Sequence, residues 1–185
     1  MAAFHSELRS LADPPRGACR WIGRRLIDHP DGEEIVVVSL WNEAQEMDRE
    51  VLVGRERLSE SLRVAARAAH TEVYSCRAYG AWKRDQEPCV VRLFRGGVVE
   101  GDPDAFDSRA AQTYLANFEC NPRCASIAAG VRDGGEVLLA TLWTSWDAIV
   151  TATGGDLRRV LPIRLPGWAV VGTAVHYEIV AAESR

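Results

Sequence analysis

Lysine is almost absent from this sequence. Lys83 is the only one, so arginine supplies nearly all of the 22 basic residues. Composition bias accounts for that more simply than a phosphate-binding role. Basic charge is not in excess either: 26 acidic residues leave a net charge of −4, which excludes the electropositive footprint of a nucleic-acid-binding protein. Long apolar runs are missing. Nothing approaches the roughly 20 apolar residues of a membrane-spanning helix, and residues 1–10 contain no apolar core of a signal peptide. Cysteine is sparse and odd in number: Cys19, Cys76, Cys89, Cys120 and Cys124. That pattern fits free thiols in a reducing cytoplasm. Cys120 and Cys124 have no second Cys/His pair at zinc spacing, so no metal is expected. Gly154-Gly155 lacks the Lys and Ser/Thr of a phosphate loop and reads as a helix terminator. No Ser/His/Asp arrangement can be argued.

What is present is a globular composition: 185 residues, 47% hydrophobic and 26% charged, enough for one large domain or two small ones. An internal repeat organises it. Residues 31–41 and 133–143 align without a gap at an offset of 102 positions. Asp31-Gly32 and Asp133-Gly134 open each copy, and Leu40-Trp41 and Leu142-Trp143 close it. Asp-Gly suits the positive φ of a tight hairpin turn, and each apolar run that follows is too short for a helix and reads as a strand.

The second copy reads completely. Residues 90–94 form a strand. Asp102 is a good N-cap with Pro103 at the first helical position. Phe106, Ala110, Tyr114 and Phe118 then recur every four residues along one helical stripe, until Asn121-Pro122 stops it. Strands follow at 125–131 and 137–143, a helix capped by Ser145 runs to Gly154-Gly155, and 156–160 makes a short turn. The last strand, 168–180, alternates: Val171, Thr173, Val175, Tyr177 and Ile179 on one face, Gly172, Ala174, His176 and Glu178 on the other. The order β-α-β-β-α-β is the ferredoxin-like split βαβ. The first copy is shorter, with strands at 20–27, 35–41 and 72–82, a helix marked by Leu58, Leu62, Ala65 and Ala69, and a short helix at 4–11. The boundaries are therefore an incomplete repeat at 1–85 and a complete domain at 89–185, joined by a polar linker at 83–88.

A four-stranded sheet with two helices covers one face only, and soluble monomers rarely expose the apolar patch that remains. Two sheets facing each other solve this, within a tandem chain or by homodimerisation. The expected fold class is α+β: ferredoxin-like repeats with antiparallel sheets forming a pseudo-dimeric α+β barrel, with a homodimer as a further expectation.

Residues 91–181 resemble the antibiotic-biosynthesis monooxygenase family of the dimeric α+β barrel superfamily. The segments that carry the likeness are Val91-Arg92-Leu93-Phe94-Arg95-Gly96 with Asp104-Ala105-Phe106, Thr141-Leu142-Trp143 with Trp146-Asp147-Ala148-Ile149, Gly154-Gly155-Asp156-Leu157, and Val175-His176-Tyr177-Glu178-Ile179-Val180. Residues 19–82 resemble it more weakly. The resemblance implies a cavity between sheet and helices. Some members of that family oxygenate aromatic polyketides without metal or flavin, others bind and degrade heme, and many have no known reaction. The heme-degrading relatives carry a tryptophan and a histidine in and after the second helix, where this sequence reads Ala148-Ile149-Val150-Thr151-Ala152-Thr153. Heme is therefore disfavoured, and no cofactor is expected.

Candidates for the site follow. Trp143 and Trp146 can line an aromatic pocket and offer an indole N–H to a substrate carbonyl; the plainer alternative, strongest for Trp143, is core packing. Tyr114 and Asn117 can hold a phenol or enolate and stabilise an oxyanion, against ordinary packing for Tyr114 and a solvent-facing Asn117. Arg92 can pair with an anionic substrate, though an outward surface arginine is the simpler expectation. His176 is the natural base near neutral pH; the alternative is a structural histidine at a sheet edge. The expected catalytic set is Trp146, Tyr114, Asn117 and His176, with Trp143, Arg92 and Phe118 binding substrate. The expected function is a cofactor-independent monooxygenase on an aromatic or polyketide-like small molecule. The alternatives are a cyclase or isomerase in the same cavity, or a non-catalytic binder of heme or another planar ligand. Neither nucleic acid nor membrane is expected as a partner.

Overall fold

The computed structural model describes residues 19–25, 35–40, 72–80, 83, 85–100, 103–132, 134–157 and 169–184. Chain contacts divide the protein into two compact units. The smaller contributes β2 (Ile35–Leu40) and most of β1 (Cys19–Arg25), two neighbouring strands where the first hairpin was expected. Its turn, Trp41, the helices expected at 4–11 and 58–69, Asp102, Asp133 and residues 158–168 lie outside the described residues, as do the side chains of Phe106 and Ala110.

The larger unit spans Arg24–Glu34 and Val73–Ile179. Its elements are β3 (Ser75–Gly80), β4 (Val90–Glu100), α1 (Pro103–Cys120), β5 (Cys124–Arg132), β6 (Glu136–Trp143), α2 (Trp146–Thr153) and β7 (Ala169–Ser184), the last passing out of the unit after Ile179. These strands stand in the order β7-β4-β6-β5-β3, all antiparallel. Leaving β3 aside, the order is fourth, first, third, second, the split βαβ expected of the C-terminal half. The β5–β6 hairpin turns through Gly134 (φ 86°) and Gly135 (φ 77°). α2 begins where Ser145 Oγ accepts from Ala148 N at 3.1 Å, and ends at Gly154 (φ 67°). Both helix ends follow from the residues that were read as caps.

Two features depart from the sequence reading. β4 runs to Glu100 rather than stopping at Phe94. Gly96 and Gly97 break helices, but here they stay in the ladder, Gly96 opposite Gly172. The ring of Phe94 lies against this glycine pair, and a Cβ on Gly172 would meet Arg95 O at 2.0 Å. The two glycines allow a close strand approach that any side chain would block. Second, β3, expected as the last strand of the first copy, pairs with β5, Tyr79 opposite Ala128. Ser126 Oγ fixes that edge by donating to Gly80 O at 2.8 Å.

The core lies between the helices and one sheet face. Val90, Phe94, Ile127, Ala129, Val137, Leu139 and Trp143 meet Tyr114 and Phe118 of α1 and Ile149 of α2. The alternate positions Val91, Leu93, Ala128, Ala140, Leu142 and Tyr177 are buried too. Strands buried on both faces read as continuous apolar runs, which is how Val137–Trp143 reads.

Candidate functional site

α1 packs on β3 and β5, and α2 on β6. A cavity of about 200 Å³ opens between them. Tyr114, Asn117 and Phe118 of α1 line it with Asn121, Cys124 and Ile127, and Trp143 and Ala152 complete the wall. Four of the seven expected residues, Tyr114, Asn117, Phe118 and Trp143, thus meet at one cavity. Asn121, Cys124, Ile127 and Ala152 were not anticipated. Asn121 carried a usable signal: Tyr114, Asn117, Phe118 and Asn121 follow the i, i+3, i+4, i+7 spacing of one helical stripe. The proline after it drew attention to its role as a helix stop instead.

Lys83 holds this wall in place. α1 has no basic residue in its last turn, so its terminal carbonyls need a donor from elsewhere. Lys83 Nζ donates to Phe118 O at 3.1 Å and Asn121 O at 2.9 Å, and sits 4.2 Å from the Phe118 ring centre. Gly80 leaves room on the other side, where a Cβ would stand 2.5 Å from that ring.

Trp143 is buried, and its Nε1–H donates to Thr141 Oγ1 at 2.7 Å. The indole N–H expected to serve a substrate is therefore already engaged, and Trp143 contributes a ring to the wall. Asn117 is exposed at the cavity's rim. Tyr114 is 1% exposed, and its hydroxyl has no hydrogen-bond partner. Burial raises its pKa, opposed in part by the charge of Arg92, so it stays a protonated donor. Burial also pushes the Cys124 thiol up to about 12, which keeps it neutral and poorly nucleophilic.

Arg92 corrects the simpler expectation. It is 0% exposed and points inward, because it alternates in β4 with Val91 and Leu93 and shares the helix-covered face with Val90 and Phe94. Burial lowers its pKa to about 10, so the guanidinium remains charged at neutral pH. His176 lies directly across the ladder from it, and Thr141 on the other side. The rings of His176 and Trp146 stand 5.1 Å apart. Burial, and then the charge of Arg92, push His176 down to about 4. It is neutral near pH 7 and a weaker base there than an exposed histidine. Trp146 and His176 are thus brought together beside Arg92, and Tyr114 is electrostatically coupled to Arg92 as well.

Among the described residues no three metal-ligating side chains gather, and no helix is long and apolar enough to cross a membrane. Among the described residues, Cys89, Cys120 and Cys124 are free thiols.

No protein-family model matches the chain, and no curated protein matches it. Solved structures do. A protein from Fusobacterium nucleatum subsp. nucleatum ATCC 25586, described as a "putative monooxygenase", aligns with TM-score 0.67 at 8% identity, over 100% of this chain and 88% of its own. Another so described, from Lactobacillus acidophilus NCFM, gives 0.66 at 12% identity over 97% and 86%. At such identities the likeness establishes the shared fold, an α+β architecture with an antiparallel sheet and two helices.

Proposed function

We propose that this protein is a monooxygenase that acts on a small aromatic, polyketide-like molecule without a bound metal or flavin. The observation that carries the reading is the buried Tyr114 hydroxyl, a hydrogen-bond donor without a partner, set among aromatic walls in a cavity of this fold. A dry cavity of about 150 Å³ binds benzene, so about 200 Å³ suits one or two rings, with any remainder of the ligand passing out between Asn117 and Asn121. Phe118 and Trp143 clasp the ring faces, and Tyr114 donates to a ring oxygen. In the reaction the substrate is its own reductant. A ring methylene becomes a ketone with one oxygen atom of O2, and the second atom leaves as water with the two hydrogens removed.

The two matching hairpins support a tandem origin and a pseudo-dimeric barrel as part of this reading, and the free thiols suit a cytoplasmic setting. Oxygen uptake with a panel of small hydroxylated anthrone-type and naphthol substrates, without added metal or flavin, tests it. Turnover lost in Tyr114→Phe is the expected result; no uptake across the panel overturns the reading. His176→Ala separates it from the cyclase or isomerase alternative, which requires activity to vanish where the oxygenase is only weakened.

A further inference from the structure

One ammonium group governs three of the eight residues that line the cavity. Phe118, Asn121 and Cys124 follow at three-residue intervals where α1 gives way to β5. Two backbone hydrogen bonds chain them together. Asn121 N donates to Phe118 O at 3.1 Å, and Cys124 N to Asn121 O at 3.3 Å. Both acceptor carbonyls also take a hydrogen bond from Lys83 Nζ, at 3.1 and 2.9 Å. A carbonyl oxygen has two lone pairs, so each can serve both donors. The Phe118 ring centre stands 4.2 Å from the same ammonium.

The lysine is itself anchored to this corner. Lys83 N donates to Ala125 O at 2.9 Å, and Gln86 Nε2 donates to Pro122 O. The ammonium therefore reaches the carbonyls from a fixed base. Helix ends fray when nothing holds them, and hydrogen bonds from a charged donor are roughly twice as strong as neutral ones. Lys83 does not line the cavity, so any effect on a ligand passes through the wall. A ring seated between Phe118 and Trp143 needs the Phe118 ring at one separation, which the gripped corner keeps. A ligand that binds the gripped wall more tightly must strengthen the grip by the same factor, because coupling between two equilibria is reciprocal.

We propose that Lys83 is a positioning residue for the ligand: its grip on the Phe118 and Asn121 carbonyls sets the fit of the cavity, and an occupied cavity holds the grip closed in return. This gives the same site a means of regulation. It rests on the cavity's binding a small aromatic molecule, not on the oxidation of that molecule.

1-Naphthol, titrated under nitrogen and followed by its fluorescence, tests the first half. Lys83→Met is expected to bind it about tenfold more weakly than the native chain, and Lys83→Arg, which keeps the charge, to bind close to the native chain. Circular dichroism establishes that each variant is folded under the conditions used. A lysine that only stabilises the fold leaves the affinity of the folded variant unchanged, and equal binding by Lys83→Met overturns the proposal while the cavity reading stands. An equal loss in Lys83→Arg overturns the part played by charge. The second half needs no variant, and decides the matter if Lys83→Met does not fold. Isotope-labelled lysine gives a single side-chain ammonium signal, since the chain has one lysine. Saturating naphthol is expected to slow exchange of its protons with water by about the same tenfold factor. Exchange at the same rate with and without naphthol overturns the coupling. Failure of the native chain to bind naphthol overturns the cavity reading and this proposal with it.

Discussion

His176 shows how much a residue's neighbours decide. Its ordinary pKa is 6.5, and in the fold it is pushed down to about 4. The folded state therefore releases a proton that the unfolded chain holds between those values, so stability falls as pH drops from about 6.5 towards 4 and is unaffected above that window. Allowing for partial exposure, the loss is on the order of 2 kcal/mol. Chemical denaturation of the native protein and His176→Gln across this range is expected to show the native form losing ground to the variant as pH falls. Carboxylates such as Glu136 titrate in both proteins and cancel in the difference. The sequence named Tyr114, Asn117, Phe118 and Trp143, which line the cavity, but the facing of other candidates was not legible in it. The strand reading Val90-Val91-Arg92-Leu93-Phe94 is apolar on both faces of Arg92, and alternation alone cannot say which face is covered by helices. β7 alternates cleanly, so the placement of His176 with Ala174 was legible and correct. The engagement of Trp143 by Thr141 was hidden because two residues on one strand face reveal nothing of their rotamers.

At the scale of elements, α1 depends on a residue twenty positions before it. The Lys83 ammonium meets the two carbonyls at its C-terminal end, where a cation also complements the helix dipole. Lys83→Met keeps an apolar stem near Phe118 and removes the charge. It is expected to cost about 1–2 kcal/mol in urea denaturation and to speed hydrogen exchange in the last turn of α1. Helix ends were the most readable features of this chain, since Ser145, Gly154 and the Asn121-Pro122 stop act within a turn of their own positions. Strand partners were the least readable. Nothing within 75–80 says that β3 belongs beside β5, because pairing is decided by register and edge contacts such as Ser126 with Gly80 O. The extension of β4 was missed for a related reason: Gly96 reads as a breaker until Gly172 stands opposite it.

On the whole-molecule scale, the sheet's composition carries the expectation of a second covering surface. Val91, Leu93, Ala128, Ala140, Leu142 and Tyr177, on the side away from α1 and α2, are buried within a single chain. Light scattering after size exclusion is expected to give a mass near 20.4 kDa; twice that value would show that copies associate through another surface. The split βαβ of the C-terminal half was legible because each of its elements carries a start or stop signal. The N-terminal half offered one hairpin and few punctuating residues, and the sequence placed it less fully.

The scarcity of lysine gives the helix latch a practical meaning. An amine-directed reagent finds a single side-chain amine, that of Lys83, and that amine grips the backbone of Phe118 and Asn121. Acylation there neutralises the latch and the only lysine handle in one step. A fluorophore introduced by this chemistry becomes a reporter at the cavity wall, and a sensor surface coupled through the same amine tethers the protein by the support of that wall.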